Sequence, residues 1–146
     1  MNFNSKLIKL EKVNLSDELR ARTGLDGYDH FLIIHDEVLM KAAFFREWIK
    51  AFNFVYSVPA GESLKTIDSF PEHISRIIEI LRNTPPRKTC IVAVGGGSIG
   101  DFSGFVASIY KRGVPLVQIP STWLAALDSA HGGKTALNVG GYKNQI

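Results

Sequence analysis

Three spaced glycines directly after an apolar run, in VGGGSIGD at residues 94–101, form the densest chemical signal in the sequence. Glycines let the backbone approach a pyrophosphate, and free amides at a helix start, backed by aligned peptide dipoles, attract the anion. Gly95, Gly97 and Gly100 satisfy the G-x-G-x-x-G spacing. The acidic residue that a dinucleotide fingerprint places about twenty positions later is missing, because the next apolar run ends Val117-Gln118-Ile119-Pro120. A phosphate site is favoured over an ordinary dinucleotide fingerprint, with a bare tight connection as the alternative.

Four further segments carry groups that could meet a ligand. His35-Asp36 closes the run FLIIH, and the Asp36 carboxylate suits ribose hydroxyls or the cap of a following helix equally well. Pro59-Ala60-Gly61-Glu62-Ser63-Leu64-Lys65 reads as a ligand loop or as a turn with its two charges in solvent. Tyr110-Lys111-Arg112-Gly113 is a basic turn. The last segment runs from Pro120-Ser121-Thr122 into DSAHGGKTALNVGGYKNQI at residues 128–146. There Lys134 and Lys143, with Arg112, suit phosphate or carboxylate, arginine as a planar fork and lysine as a point charge. Asp128 suits hydroxyls, proton transfer or a helix cap. His131 has no second histidine at ligand spacing, the others being His30, His35 and His73, so no metal site is expected within the chain.

The chain that must position these groups has 146 residues, 45% hydrophobic and 21% charged, enough for one domain with a full core. It shows no internal repeat, and NTPPRK at residues 83–88 is too short to separate domains. No run of about twenty apolar residues could span a membrane, and MNFNSKLIKLEKV lacks the order of a secretory signal, so a cytoplasmic protein is expected. A net charge of +3 and a pI of about 9.1 suit an anionic ligand, without the clustered Lys and Arg of a nucleic-acid binder. The single cysteine, Cys90, lies inside TCIVAV and reads as a buried thiol.

Apolar, β-branched runs predict a strand within residues 5–13, then FLIIH at 31–35, FVYSV at 54–58, CIVAV at 90–94 and VPLVQI at 114–119. Val38, Ala42, Phe45 and Ile49 are spaced for one helix face over residues 37–51. Phe70, Ile74, Ile77, Ile78 and Leu81 do the same over 63–82, with Ser69-Phe70-Pro71-Glu72 as a capping box that starts or restarts that helix. The alternation predicts an α/β, Rossmann-like, mostly parallel sheet with flanking helices and right-handed crossovers. Ligands then belong beyond the carboxyl ends of the strands.

Taken in order, GESLK, GGGSIGDFSGFVAS, YKRGV, PSTWLAALDSAHGGKT and YKN resemble the 3-dehydroquinate synthase family of sugar phosphate cyclases. The resemblance implies that residues 1–146 form an amino-terminal NAD-binding domain, with a helical metal-binding domain after it. It implies the shikimate-pathway reaction, in which 3-deoxy-D-arabino-heptulosonate 7-phosphate loses phosphate and becomes 3-dehydroquinate while NAD is only transiently reduced. By motif, Asp36 would meet the adenosine ribose, and Glu62, Ser63, Leu64 and Lys65 the nucleoside portions of NAD. Gly97, Ser98, Ile99, Gly100 and Asp101 would wrap the pyrophosphate, while Ser121, Thr122 and Leu124 line the cofactor. Asp128 would bind substrate hydroxyls. Lys134 and Asn144 would hold phosphate, with Lys134 also near the cofactor, and Lys143 would bridge cofactor and substrate. Arg112 would reach the neighbouring subunit's site, which implies a homodimer.

Several positions depart from the family pattern. Ser98 stands for the usual Val, where contact is expected through backbone; Ser121 stands for Thr, His131 for the Val of DSSVGGKT, and Gln145 for the Met of KNMIG. These bear on which sugar phosphate is preferred. The family's zinc or cobalt ligands, one Glu and two His, belong to the second domain, so residues 1–146 alone are expected to show little or no turnover. Two other readings stay open. One is a polyol or alcohol dehydrogenase of the iron-containing group, which shares the GGGSxxD turn but continues with a PTTxGTGSE-like segment. The other is a non-catalytic nucleotide-binding module.

Overall fold

The computed structural model describes residues 24–128, 130 and 135–146. The strand expected within 5–13, together with His131 and Lys134, lies outside the described residues.

Four parallel strands form one sheet: β1 (His30–Asp36), β2 (Phe54–Val58), β3 (Thr89–Gly95) and β4 (Leu116–Pro120), in the order β2-β1-β3-β4. The register sets Ile34 beside Tyr56 and Ala93, and Val92 beside Val117. The helices are α1 (Ala43–Ile49), α2 (Phe70–Ile80), α3 (Gly97–Ile109) and the short α4 (Trp123–Leu127).

Side chains alternate across each strand, so β1 and β3 serve two cores at once. Leu32, Ile34, Ile91 and Ala93 pack with Phe70 and Ile77 of α2 and with Phe102 and Val106 of α3. Phe31, Ile33, Cys90 and Val92 pack with Phe45 and Ile49 of α1 on the other face. Coverage of both faces is why these strands read as continuous apolar runs. The α1 crossover steps from β1 outward to β2 on one face, whereas α2 and α3 step the opposite way on the other face. Reversing both direction and face keeps a single handedness, as the crossover rule requires.

Two expected helices are interrupted. Instead of one helix over 37–51, a 3-10 turn over Glu37–Lys41 ends at Ala42, whose extended backbone (φ −83, ψ 124) precedes α1. The break is tolerated because Arg46 donates to the Met40 carbonyl at 2.8 Å and the Lys41 carbonyl at 3.0 Å, replacing lost helical bonds. Val38, expected on the buried face, is 48% exposed. The second helix starts after a separate 3-10 turn over Glu62–Lys65, with Ser69 as its N-cap and Phe70 as its first residue, where a start or restart was expected. Ser69 does not form the expected capping box: its backbone is already helical and its hydroxyl donates to the Ser63 and Thr66 carbonyls. That donation ties the helix start to the preceding loop. Ile78 is on the solvent side. Cys90 is fully buried as expected, and burial pushes its thiol up to about 12.

Candidate active site

The connections leaving β1 and β3 run in opposite directions, so the carboxyl ends of these two strands bound the crevice where an open α/β sheet takes its ligand. His35-Asp36 stands on one side. On the other, β3 passes straight into α3 through Gly96, whose extended backbone has no side-chain cap among the described residues. The first amides of α3 therefore stand ready for an anion. Gln118 of β4, in the region where a fingerprint acid was missing, lies across this turn: a Cβ on Gly100 would come within 2.8 Å of its Oε1. Ser98 does more than the family pattern implied, since its Oγ accepts from the Gly61 amide at 3.0 Å and joins the 59–65 loop to the glycine turn.

The next shell of groups forms a network. Lys65 is only 6% exposed, which rules out the solvated lysine of the simple turn reading. Its ammonium lies 2.7 Å from Asp101 Oδ2 on α3 and donates to Asn144 Oδ1 at 2.9 Å. Glu62 Oε2 accepts from Asn138 Nδ2 at 2.9 Å and stands 3.9 Å from Lys143 Nζ. The Asn138 hydrogen bond holds the Glu62 carboxyl below its usual range against an opposing desolvation, with smaller help from the Lys65 and Lys143 charges. The structure thus gathers Glu62, Lys65, Asp101, Lys143 and Asn144, all expected site residues, around Asn138, which sequence reasoning missed.

A tight reversal brings the last two of these into place. Val139 and Tyr142 exchange backbone bonds of 3.0 and 2.9 Å across Gly140 (φ 55) and Gly141 (φ 85). Two successive left-handed residues make the hairpin turn whose twist suits strand pairing, and glycine adopts it without strain. The chain then returns, so that the Gln145 amide donates to the Leu137 carbonyl at 2.9 Å. Asn144 itself is left-handed (φ 54), a conformation asparagine tolerates better than most residues.

The remaining candidates fall into three groups. Asp36 caps the 37–41 turn, its Oδ1 accepting from the Val38 amide at 3.0 Å, and also lines a cleft of about 560 Å³ with Lys41, Pro59 and Ala60. Leu64 and Ile99 are buried in the core, the Leu64 amide donates to the Gly61 carbonyl at 3.2 Å, and the Ser63 carbonyl is engaged by the Thr66 and Ser69 hydroxyls. Beyond β4, the Ser121 amide donates to the Gly95 carbonyl, Thr122 Oγ1 caps α4, and Leu124 and Asp128 are exposed.

Arg112 is not brought to this cluster. Its turn, 110–113, precedes β4 and therefore sits at the amino ends of the strands, opposite the glycine turn. Among the described residues no three of His, Cys, Asp or Glu converge on a metal position, and no helix is long and apolar enough to cross a membrane.

Residues 55–146 match the family model described as 3-dehydroquinate synthase N-terminal. The 3-dehydroquinate synthase of Alkaliphilus oremlandii is 43% identical over 137 residues, covering 91% of this chain and 37% of that protein. That of Dehalococcoides mccartyi is 50% identical over 93 residues, or 61% of this chain and 24% of its own length. The matched stretches therefore cover between 24% and 37% of these relatives' own length. Among solved structures, a 2-deoxy-scyllo-inosose synthase complexed with carbaglucose-6-phosphate, NAD+ and Co2+ superposes with a TM-score of 0.70 at 30% identity, over 88% of this chain and 36% of that one. A 2-epi-5-epi-valiolone synthase from Streptomyces hygroscopicus, with NAD+ and Zn2+ bound, gives 0.69 at 26% identity, over 97% and 42%.

Proposed function

Because the chain belongs to the 3-dehydroquinate synthase family, we propose that it is the NAD-binding part of an enzyme converting 3-deoxy-D-arabino-heptulosonate 7-phosphate to 3-dehydroquinate and phosphate. The observation that carries the reading is Lys65, a nearly buried cation suspended between Asp101 on the glycine-led helix and Asn144 on the returning hairpin. Two of its three N–H groups meet partners among the described residues, and the third is assigned to an acceptor brought by a ligand. Curated relatives named 3-dehydroquinate synthase, at 43% and 50% identity, favour this product over those of the solved cyclases at 30% and 26%.

The residues fit a dinucleotide. Amides at the start of α3, with the helix dipole behind them, suit the pyrophosphate. Asp36, at the edge of its cleft, suits ribose hydroxyls as an acceptor, and so does Glu62, whose lowered pKa keeps it ionised. When bound, NAD would supply the transient oxidation of a ring hydroxyl. The chain's own contribution is to bind and orient: Asn144 and Lys134 are assigned to the phosphate of the substrate, Asp128 to its hydroxyls, and Lys143 to a bridge between cofactor and substrate. Zinc or cobalt would be held by a second, helical domain rather than by the described residues, which offer no converging ligand set. Arg112, at the far end of the sheet, is assigned to a partner subunit's site in a cytoplasmic homodimer.

Calorimetric titration with NAD tests this reading. Saturable binding of one NAD per chain is expected, weakened about tenfold or more in Lys65→Ala, as loss of a charge-assisted contact predicts. No binding by the unaltered chain, or full phosphate release from the heptulosonate phosphate by residues 1–146 alone, would overturn it.

A further inference from the structure

We propose that Asn138 is a positioning residue that locks the cofactor loop and the substrate-facing hairpin into one unit through the two ends of its carboxamide. Its Nδ2 donates to Glu62 Oε2 at 2.9 Å, while its Oδ1 accepts from the Asn144 backbone amide at 2.9 Å. The orientation of the side chain is unambiguous, because a carboxylate can only accept and a backbone amide can only donate. The backbone of the same residue is engaged too. Its amide donates to the Lys65 carbonyl at 2.6 Å and its carbonyl accepts from the Ile67 amide at 2.9 Å, which makes the parallel bridge between Thr66 and Asn138. All four polar handles of one residue, 8% exposed, are therefore spent on joining residues 62–67 to residue 144.

The arrangement explains why asparagine stands here. Alanine would leave the Asn144 amide and the Glu62 carboxylate without this partner. Aspartate, with the same shape, would keep the acceptor for Asn144 but set a second carboxylate against Glu62. Glu62, Lys65 and Asn144 then act as a set: a shift of the loop on one side must be felt by the hairpin on the other, since the link between them is rigid and short. This functional consequence rests on the NAD reading above, whereas the link itself does not.

The test uses the 146-residue chain and separates those two layers. By NMR, the Glu62 side-chain titration and the hydrogen exchange of the Asn144 amide are followed in the unaltered chain, Asn138→Ala and Asn138→Asp, with NAD affinity measured beside them. In Asn138→Ala, the Glu62 titration is expected to move up, Asn144 exchange to quicken about tenfold, and NAD to bind about tenfold more weakly. In Asn138→Asp, Asn144 exchange is expected to hold while Glu62 titrates higher, because two adjacent carboxylates resist sharing full charge. NAD binding by that variant should then fall as pH is lowered through the titration of the carboxylate pair, at a higher pH than in the unaltered chain, where Glu62 titrates below its usual range. A merely structural role would lower the melting temperature without parting the Glu62 response from the Asn144 response. An unchanged Glu62 titration in Asn138→Asp overturns the proposal, and this variant decides the matter if Asn138→Ala fails to fold. Should both NMR responses appear while the unaltered chain binds no NAD, the link stands and the cofactor reading falls.

Discussion

The two ends of the sheet each hold a lysine in place, and they do it with different kinds of partner. At the carboxyl ends, Lys65 is held by the side chains of Asp101 and Asn144. At the amino ends, Lys111 donates to the Thr84 backbone carbonyl at 2.6 Å, and its neighbour Tyr110 donates to the Leu81 carbonyl at 3.3 Å. Thr89 ties the same corner together through the Thr84 hydroxyl and the Pro85 carbonyl. Around these anchors the chain runs left-handed for three residues, Lys111 (φ 45), Arg112 (φ 76) and Gly113 (φ 107). Left-handed backbone at a non-glycine residue costs on the order of 1 kcal/mol or more and persists where its surroundings over-determine it.

The contrast separates scaffold from site. Carbonyls already placed by helix and strand cannot be exchanged for a ligand's atoms without unfolding the corner. Side-chain partners can: Asp101 or Asn144 can give up part of its hold on Lys65 when an anion arrives, at the cost of one hydrogen bond. The carboxyl end is therefore held together by polar side chains, Asp101 from α3 and Asn144 from the hairpin, and the amino end by backbone carbonyls.

Three substitutions would break or sharpen this contrast. The largest effect is expected from Asp101→Ala, which leaves the nearly buried Lys65 ammonium without its counter-charge. Removing one member of such a pair costs about 3 kcal/mol, a fall of about 10 °C in melting temperature, and NAD binding should drop beyond detection. Calorimetry of both quantities checks it, and retained affinity would mean that the carboxyl end does not depend on this pair.

Gly104→Ala comes next. A Cβ there would run into the side chain of Thr135, with the Thr135 Cβ only 2.9 Å away, so the segment 135–146 would be pushed off α3. Overpacking of this kind costs about 1–3 kcal/mol. Hydrogen exchange should quicken across 135–146 while the sheet stays protected. Lys111→Met is the smallest, about 1 kcal/mol for the lost bond to Thr84, or about 3 °C. NAD affinity should stay within about twofold; a parallel loss would show that the two ends are not independent.

Local signals made much of this legible in the sequence. β-branched apolar runs mark all four described strands to within two residues at each end, because both sheet faces are covered and only such runs can occupy them. Glycines after β3 mark the turn into α3, since a backbone that must approach closely cannot carry side chains. One helix interruption was hidden: the apolar spacing of Val38 through Ile49 continues across Ala42, and the break there is supported by Arg46 reaching back to the Met40 and Lys41 carbonyls, whereas the restart at Ser69 was legible. Asn138 was equally hidden, as one asparagine in a glycine-rich stretch carries no periodic or motif signal.

The sequence by itself determined the α/β alternation, the strand positions, the glycine turn and the identities of the charged groups near it. These follow from hydrophobic period and local backbone preference, which act over a few residues. Only the tertiary structure decided that Lys65 is buried, that Asn138 joins Glu62 to Asn144, and that the turn carrying Arg112 lies at the other end of the sheet. The reason is distance along the chain: Lys65 finds Asn144 at a separation of 79 residues and Asn138 finds Glu62 at 76, and no local preference encodes which polar groups a parallel sheet will bring together.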